Sequence, residues 1–83
     1  MSAILIFRSI TYAQRAHLVL QKAGIPARIV RTGAEMTSRG CSHGLRMVER
    51  YLTSALRALR ENGLMWERVY TIDSDGHVTE AGV

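Results

Sequence analysis

Two segments of this chain stop in the same way. Lys22-Ala23-Gly24-Ile25 and Glu61-Asn62-Gly63-Leu64 each close a stretch of helical periodicity with glycine followed by an aliphatic residue, 39 positions apart. Glycine just past a helix takes the left-handed conformation that ends it. The match extends on either side of the stop. Ala13, Ala16, Leu20, Gly24 and Val30 recur as the small or apolar Leu52, Ala55, Leu59, Gly63 and Val69. A chain that writes strand, helix, glycine and strand twice has few ways to fold.

The elements follow in order. Ala3-Ile4-Leu5-Ile6-Phe7 is a continuous apolar run and predicts a central strand. Thr11 with Gln14 fits a capping box, with Ser9 as a competing cap, and the helix runs to about Ala23. Its apolar stripe is Ala13, Ala16, His17, Leu20 and Ala23 or Gly24. Pro26 forbids continuation, and Pro26 to Arg31 reads as a second strand at a sheet edge, where proline is tolerated. Residues 32 to 43 show no hydrophobic period and form a long loop, a kind that is often functional. Leu45 to Glu49 resumes as a third strand. A second helix starts at Tyr51 and buries Leu52, Ala55, Leu56 and Leu59. Trp66 to Ile72 is a fourth strand, and Asp73-Ser74-Asp75-Gly76 is a turn.

These elements predict an α+β, ferredoxin-like βαββαβ split sandwich. A four-stranded antiparallel sheet carries two helices on one face, with the first and third strands in the middle. Residues 1–73 make a single domain. Residues 74–83 form the turn and a C-terminal tail that frays or folds back through His77-Val78-Thr79 as a short hairpin strand. The uncovered sheet face is free for a partner, a second copy or a ligand.

At 83 residues the chain is one domain, burying roughly 60–65% of its unfolded surface. So small a core without covalent staples leans on a partner or on self-association, so a homodimer is one expectation. No apolar run approaches the roughly 20 residues of a membrane span. No secretory leader is legible either, so the expectation is a soluble, cytoplasmic protein that engages no membrane. A single cysteine forms no internal disulfide, which agrees with a reducing compartment. The net charge is +4, and every basic residue except Lys22 is arginine. Arginine's planar fork suits carboxylates and phosphates, so an anionic partner is one reading; codon usage in a high-GC genome is the other.

The single cysteine lies in Thr37-Ser38-Arg39-Gly40-Cys41-Ser42-His43-Gly44, at the end of the long loop. A thiol attacks, carries sulfur or binds metal as the thiolate, and nearby cations or backbone N–H groups lower its pKa from about 8.5. Arg39 and His43 stand two residues either side. Gly40 and Gly44 leave the backbone free to turn amides toward the sulfur, and Ser42 offers a hydroxyl. The competing reading is a small buried hydrophobe. A Cys–His enzyme also needs a third, orienting group, and none is legible. A two-cysteine redox switch needs a second thiol. A carrier needs only one accessible, activated sulfur and a docking surface.

Three passages together resemble a family of small bacterial proteins described as selenium/sulfur carrier-like. They are an apolar strand followed by Ser and a helix over Ile4 to Ala23; Gly24-Ile25-Pro26-Ala27-Arg28; and Ser38-Arg39-Gly40-Cys41-Ser42-His43-Gly44-Leu45 leading into a strand. The resemblance covers residues 3 to about 72. Many relatives carry glycine directly after the cysteine, where Ser42 and His43 intervene here. The resemblance implies a carrier or accessory protein rather than a stand-alone enzyme. Cys41 would hold sulfur as a persulfide, or selenium as its analogue, between a donor and an acceptor protein, with no cofactor.

Other constellations are weaker. Cys41, His17, His43 and His77 are scattered and supply no four-ligand metal site, so no metal is expected. Asp73-Ser74-Asp75-Gly76 lacks the spacing and terminal Glu of a calcium loop. No phosphate-cradling glycine loop follows the first strand. The alternative to a carrier is a non-catalytic binding or regulatory module that uses the open sheet face to dock a protein. RNA is the weaker ligand, because Phe7, Tyr12, Tyr51, Trp66 and Tyr70 make no aromatic–basic reading pattern. The best stacking platform is Trp66, Arg68 and Tyr70 on one strand face.

Overall fold

The structure, a computed structural model, describes residues 1–32 and 42–81. It is α+β: two helices on a five-stranded antiparallel sheet. The strands are β1 (Ser2–Phe7), β2 (Arg28–Thr32), β3 (Ser42–Val48), β4 (Arg68–Ile72) and β5 (Val78–Glu80). The helices are α1 (Ile10–Lys22) and α2 (Leu52–Glu61), the latter entered through one 3₁₀ turn, Glu49–Tyr51. The spatial order is β2-β3-β1-β4-β5. β1 and β3 are neighbours inside the sheet, and β2 lies at an edge, as Pro26 predicts.

The two helix stops are the same structure. Gly24 and Gly63 sit at φ +77° and +71°. In each, the N–H of the following aliphatic residue donates to a carbonyl five residues back: Ile25 to Leu20 and Leu64 to Leu59, both at 2.9 Å. This is the Schellman closure, which satisfies carbonyls that the last turn would leave unpaired. Ile25 and Leu64 then turn inward and are buried. The start of α1 differs from the capping box predicted at Thr11. Ser9 is the cap, extended at φ −154°, and its hydroxyl accepts from the Tyr12 N–H at 3.4 Å. Ser9 lies directly beyond the last residues of β1 and reaches the first free amides sooner than Thr11 can.

The core lies between the helices and one sheet face. Ala3, Leu5 and Phe7 of β1, with Leu45 and Met47 of β3 and Val69 of β4, pack against Ala13, Ala16 and Leu20 of α1 and Ala55, Leu56 and Leu59 of α2. Each fully buried leucine is worth about 1.5–3 kcal/mol relative to exposure. The sequence repeat holds through the helices but fails at its last pair. Val69 faces this core, opposite Leu5, whereas Val30 pairs with Gly44 on the other face. A shift of one residue in a strand reverses every side chain.

The opposite face has its own buried centre. Ile4 and Ile6 are 3% and 1% exposed although neither belongs to the helix-packed core. Their register neighbours are Arg46 and Tyr70 beside Ile4, and Gly44 and Arg68 beside Ile6. Gly44 is an extended residue, not a left-handed one. A Cβ there would lie 2.7 Å from the Leu5 carbonyl oxygen and 3.1 Å from Ile4 Cγ2. Glycine at this position lets β3 close on β1 while the two isoleucines spread over the vacant side-chain position.

Two expectations about extent are corrected. The sheet has five strands, not four, because residues 78–80 pair with β4. The turn that returns them is built from side chain and backbone together. Asp73 Oδ1 accepts from the N–H groups of Asp75 and His77 at 3.0 and 2.9 Å, and Gly76 takes φ +86°. Arg68 Nη1 donates to both Glu80 carboxylate oxygens at 3.2 Å and ties the hairpin's far end. β3 also begins at Ser42, three residues before the predicted start at Leu45. Ladder pairing of Ser42 and His43 with Thr32 and Arg31 continues without any apolar pattern to announce it.

Gly44→Ala is expected to lower stability by about 1–3 kcal/mol. Urea unfolding checks this, with a shifted midpoint and an unchanged slope.

Candidate functional site

Three connections meet at one end of the sheet. β1 leaves its last residue, Phe7, for Arg8 and Ser9 and enters α1. β4 begins there with Arg68, and the Glu67 N–H donates to the Ile6 carbonyl at 2.7 Å. β2 ends there at Thr32, and β3 returns at Ser42, opposite it. His43 pairs with both Phe7 and Arg31. The β2–β3 connection, residues 33–41, therefore departs and returns beside the entry to α1.

The sequence-predicted site residues divide at this point. Arg39, Gly40 and Cys41 lie outside the described residues, as do 33–38 of the predicted loop. Cys41 is covalently one residue from the start of β3. The Ser42 backbone is in the ladder. His43 is half-buried and shares the helix-packed face with Leu45 and Met47. Gly44 is buried under the steric demand of β1. The last three members of the motif are thus parts of the sheet, and they fix where the cysteine segment is anchored.

The same end of the sheet holds a cleft of about 450 Å³, lined by Arg8, Tyr12, Gly63, Leu64, Met65, Trp66 and Glu67. Trp66 is half-buried against the core, and the Arg60 guanidinium sits 5.9 Å from its ring centroid. Met65 is three-quarters exposed at the rim. The first turn of α1 contains no acidic residue. Its uncapped N–H groups and Arg8 contribute positive potential here, with Glu67 on the same cleft lining. Sequence reasoning did not find the cleft, because residues 8–12 and 63–67 converge only once both helices pack on the sheet. The one local signal was the apolar Leu64-Met65-Trp66 placed directly after a helix stop.

The remaining candidates have structural roles. His17 Nε2 donates to the Ala27 carbonyl at 3.1 Å, tying α1 to the approach of β2. Asp73, Asp75 and His77 bring ligand atoms within 4.8 Å of one another, but Asp73 already closes the hairpin turn and the other two are exposed. The expected stacking platform is divided. β4 begins at Arg68, so Trp66 precedes the strand and packs toward the core, while Arg68 and Tyr70 stand on the open face. Among the described residues, no helix is long and apolar enough to cross a membrane.

A two-helix, single-sheet α+β domain with one cysteine beside the first residue of an inner strand defines the class. A family model described as "Putative Se/S carrier protein-like" matches residues 2–71, and the chain belongs to that family. The match takes in both helices, the segment that carries Cys41 and the whole sheet except Ile72 and β5. No curated protein and no solved structure matches the chain.

Ser9→Ala removes the one side-chain cap of α1 at this end. It is expected to cost about 0.5–1 kcal/mol in chemical unfolding, at the low end of capping effects because the bond is long.

Proposed function

We propose that the protein carries sulfur, or selenium as its analogue, on Cys41. The observation that supports this most is the anchoring of the cysteine. Membership of the carrier-like family coincides with a single thiol tethered one residue from β3, at the sheet end that holds Arg8 and the free amides at the start of α1. Such surroundings favour a thiolate. In the loading step the Cys41 thiolate attacks the outer sulfur of a donor's persulfide. A new S–S bond forms on Cys41, the donor's S–S bond breaks, and the donor leaves as a thiolate. Delivery is the same exchange run toward an acceptor thiolate. Donor and acceptor are proteins, and Arg39, Gly40, Ser42, His43 and Gly44 support the cysteine by position and backbone. The arrangement of β2-β3-β1-β4 with the two helices reads as a ferredoxin-like βαββαβ core to which β5 has been added.

Incubation with a cysteine desulfurase and cysteine is expected to add one sulfur atom to Cys41 by intact-mass and peptide mass spectrometry. Cys41→Ser is expected to fold and to acquire none. Alkylation of Cys41 near neutral pH is expected to outpace that of an unstructured thiol peptide. A thiol that reacts no faster than the peptide and accepts no sulfur overturns the reading.

A further inference from the structure

The open face of the sheet carries three arginines, and the fold treats them differently. Arg68 on β4 is neutralised by Glu80 on β5 at 3.2 Å. Arg28 on β2 and Arg46 on β3 are directly opposite each other in the ladder. Like charges in that position repel and destabilise a strand pair. Among the described residues neither has a carboxylate within ion-pair distance. Glu49, nearest them in sequence at this end, donates its backbone N–H to the Met1 carbonyl and forms no pair with either. Arg46 is half-buried, and its Nη2 donates to Ser2 Oγ at 3.5 Å, the outer limit of a hydrogen bond. A half-buried cation beside a second cation is therefore held by little more than one long contact.

The two side chains line a cleft of about 370 Å³ with Ser2, Pro26, Ala27, Met47 and Val48. Opposed residues in an antiparallel pair have Cα atoms roughly 4.5–5.5 Å apart, close enough for two guanidinium forks to converge on one group. One fork alone satisfies the two coplanar oxygens of a carboxylate. A tetrahedral dianion has further oxygens for the second fork and the hydroxyl. The apolar walls leave room for the rest of a small molecule. We propose that Arg28, Arg46 and Ser2 form a binding site for the phosphate group of a small molecule. The site is independent of sulfur carriage. Arg46 is four residues along β3 from Ser42, roughly 13 Å of strand from the point where the cysteine segment joins.

The test is amide NMR of the full chain, titrated with inorganic phosphate, a nucleoside monophosphate and acetate at constant ionic strength. Saturable shifts at Ser2, Arg28, Arg46 and Val48 are expected with either phosphate compound, and much weaker ones with acetate. The affinity is expected to fall about tenfold or more in Arg46→Gln and in the exposed Arg28→Gln, and to be unchanged in Arg68→Gln. The spectra themselves report whether each variant folds, and either of the first two suffices. In thermal unfolding, phosphate is expected to raise Tm more for the wild type than for Arg28→Gln, because only a ligand held by the native state adds stability. Shifts that never saturate, that persist in both Arg28→Gln and Arg46→Gln, or that acetate reproduces at the same residues overturn the proposal.

Discussion

β1 sits between β3 and β4 with both of its faces out of water, and the two faces are covered by different means. On one side Ala3, Leu5 and Phe7 meet the helices. On the other, Ile4 and Ile6 are sealed within the sheet surface, next to long side chains and over a glycine. The second arrangement works only because β3 gives up a side chain at Gly44, where the Leu5 carbonyl leaves no room for one. β3 is thereby held tight against β1 at the place where it enters the sheet.

The two ends of β3 have different surroundings. At its start, the cysteine segment joins near Arg8, the capped α1 and the Trp66 cleft. Near its far end, Arg46 faces Arg28 across the ladder. Positive groups stand at both ends, but in different forms. At the first end they are Arg8 and the free amides of α1, with Glu67 on the same cleft. At the second they are two guanidinium groups lining one cleft. The excess of arginine over lysine acquires a physical role at the second end, since a flexible ammonium would not fix the direction of approach.

Much of this was legible in the residues, and the rest was hidden for identifiable reasons. Gly24 and Gly63 announced both helix ends, since no other residue takes their backbone conformation as readily. Leu20, Ala55 and Leu59 declared their burial through the helical period. Ser9 was outranked by Thr11 because the capping-box pattern is local, whereas the choice of cap depends on where β1 releases the chain. Val30 was read as the counterpart of Val69. A one-residue shift between β2 and β4, invisible in a list of apolar positions, puts them on opposite faces. Ser42 and His43 were missed as strand because they are polar, and neighbouring strands rather than their own composition hold them; for β5 a frayed tail and a short hairpin strand were both open, and pairing with β4 decides between them. For the candidate site, position was readable and surroundings were not. Cys41 stood out by its neighbours in sequence, but Arg8, Tyr12 and Trp66 belong to its end of the molecule only through the packing of both helices.

The C-terminal hairpin has a consequence for the borders of the sheet. Without β5, the rim of β4 would offer a ladder of free amides and carbonyls beside the apolar Tyr70 and Ile72, a ready template for a foreign strand. β5 caps that rim with three exposed residues and is too short to recruit a partner in its turn. At the opposite border β2 is guarded by charge, with Pro26 before it and Arg28 and Arg31 along it. Two such rims meeting would set arginine against arginine. Both borders of the sheet are thus closed to edge-to-edge pairing, one by a short capping strand and the other by charge.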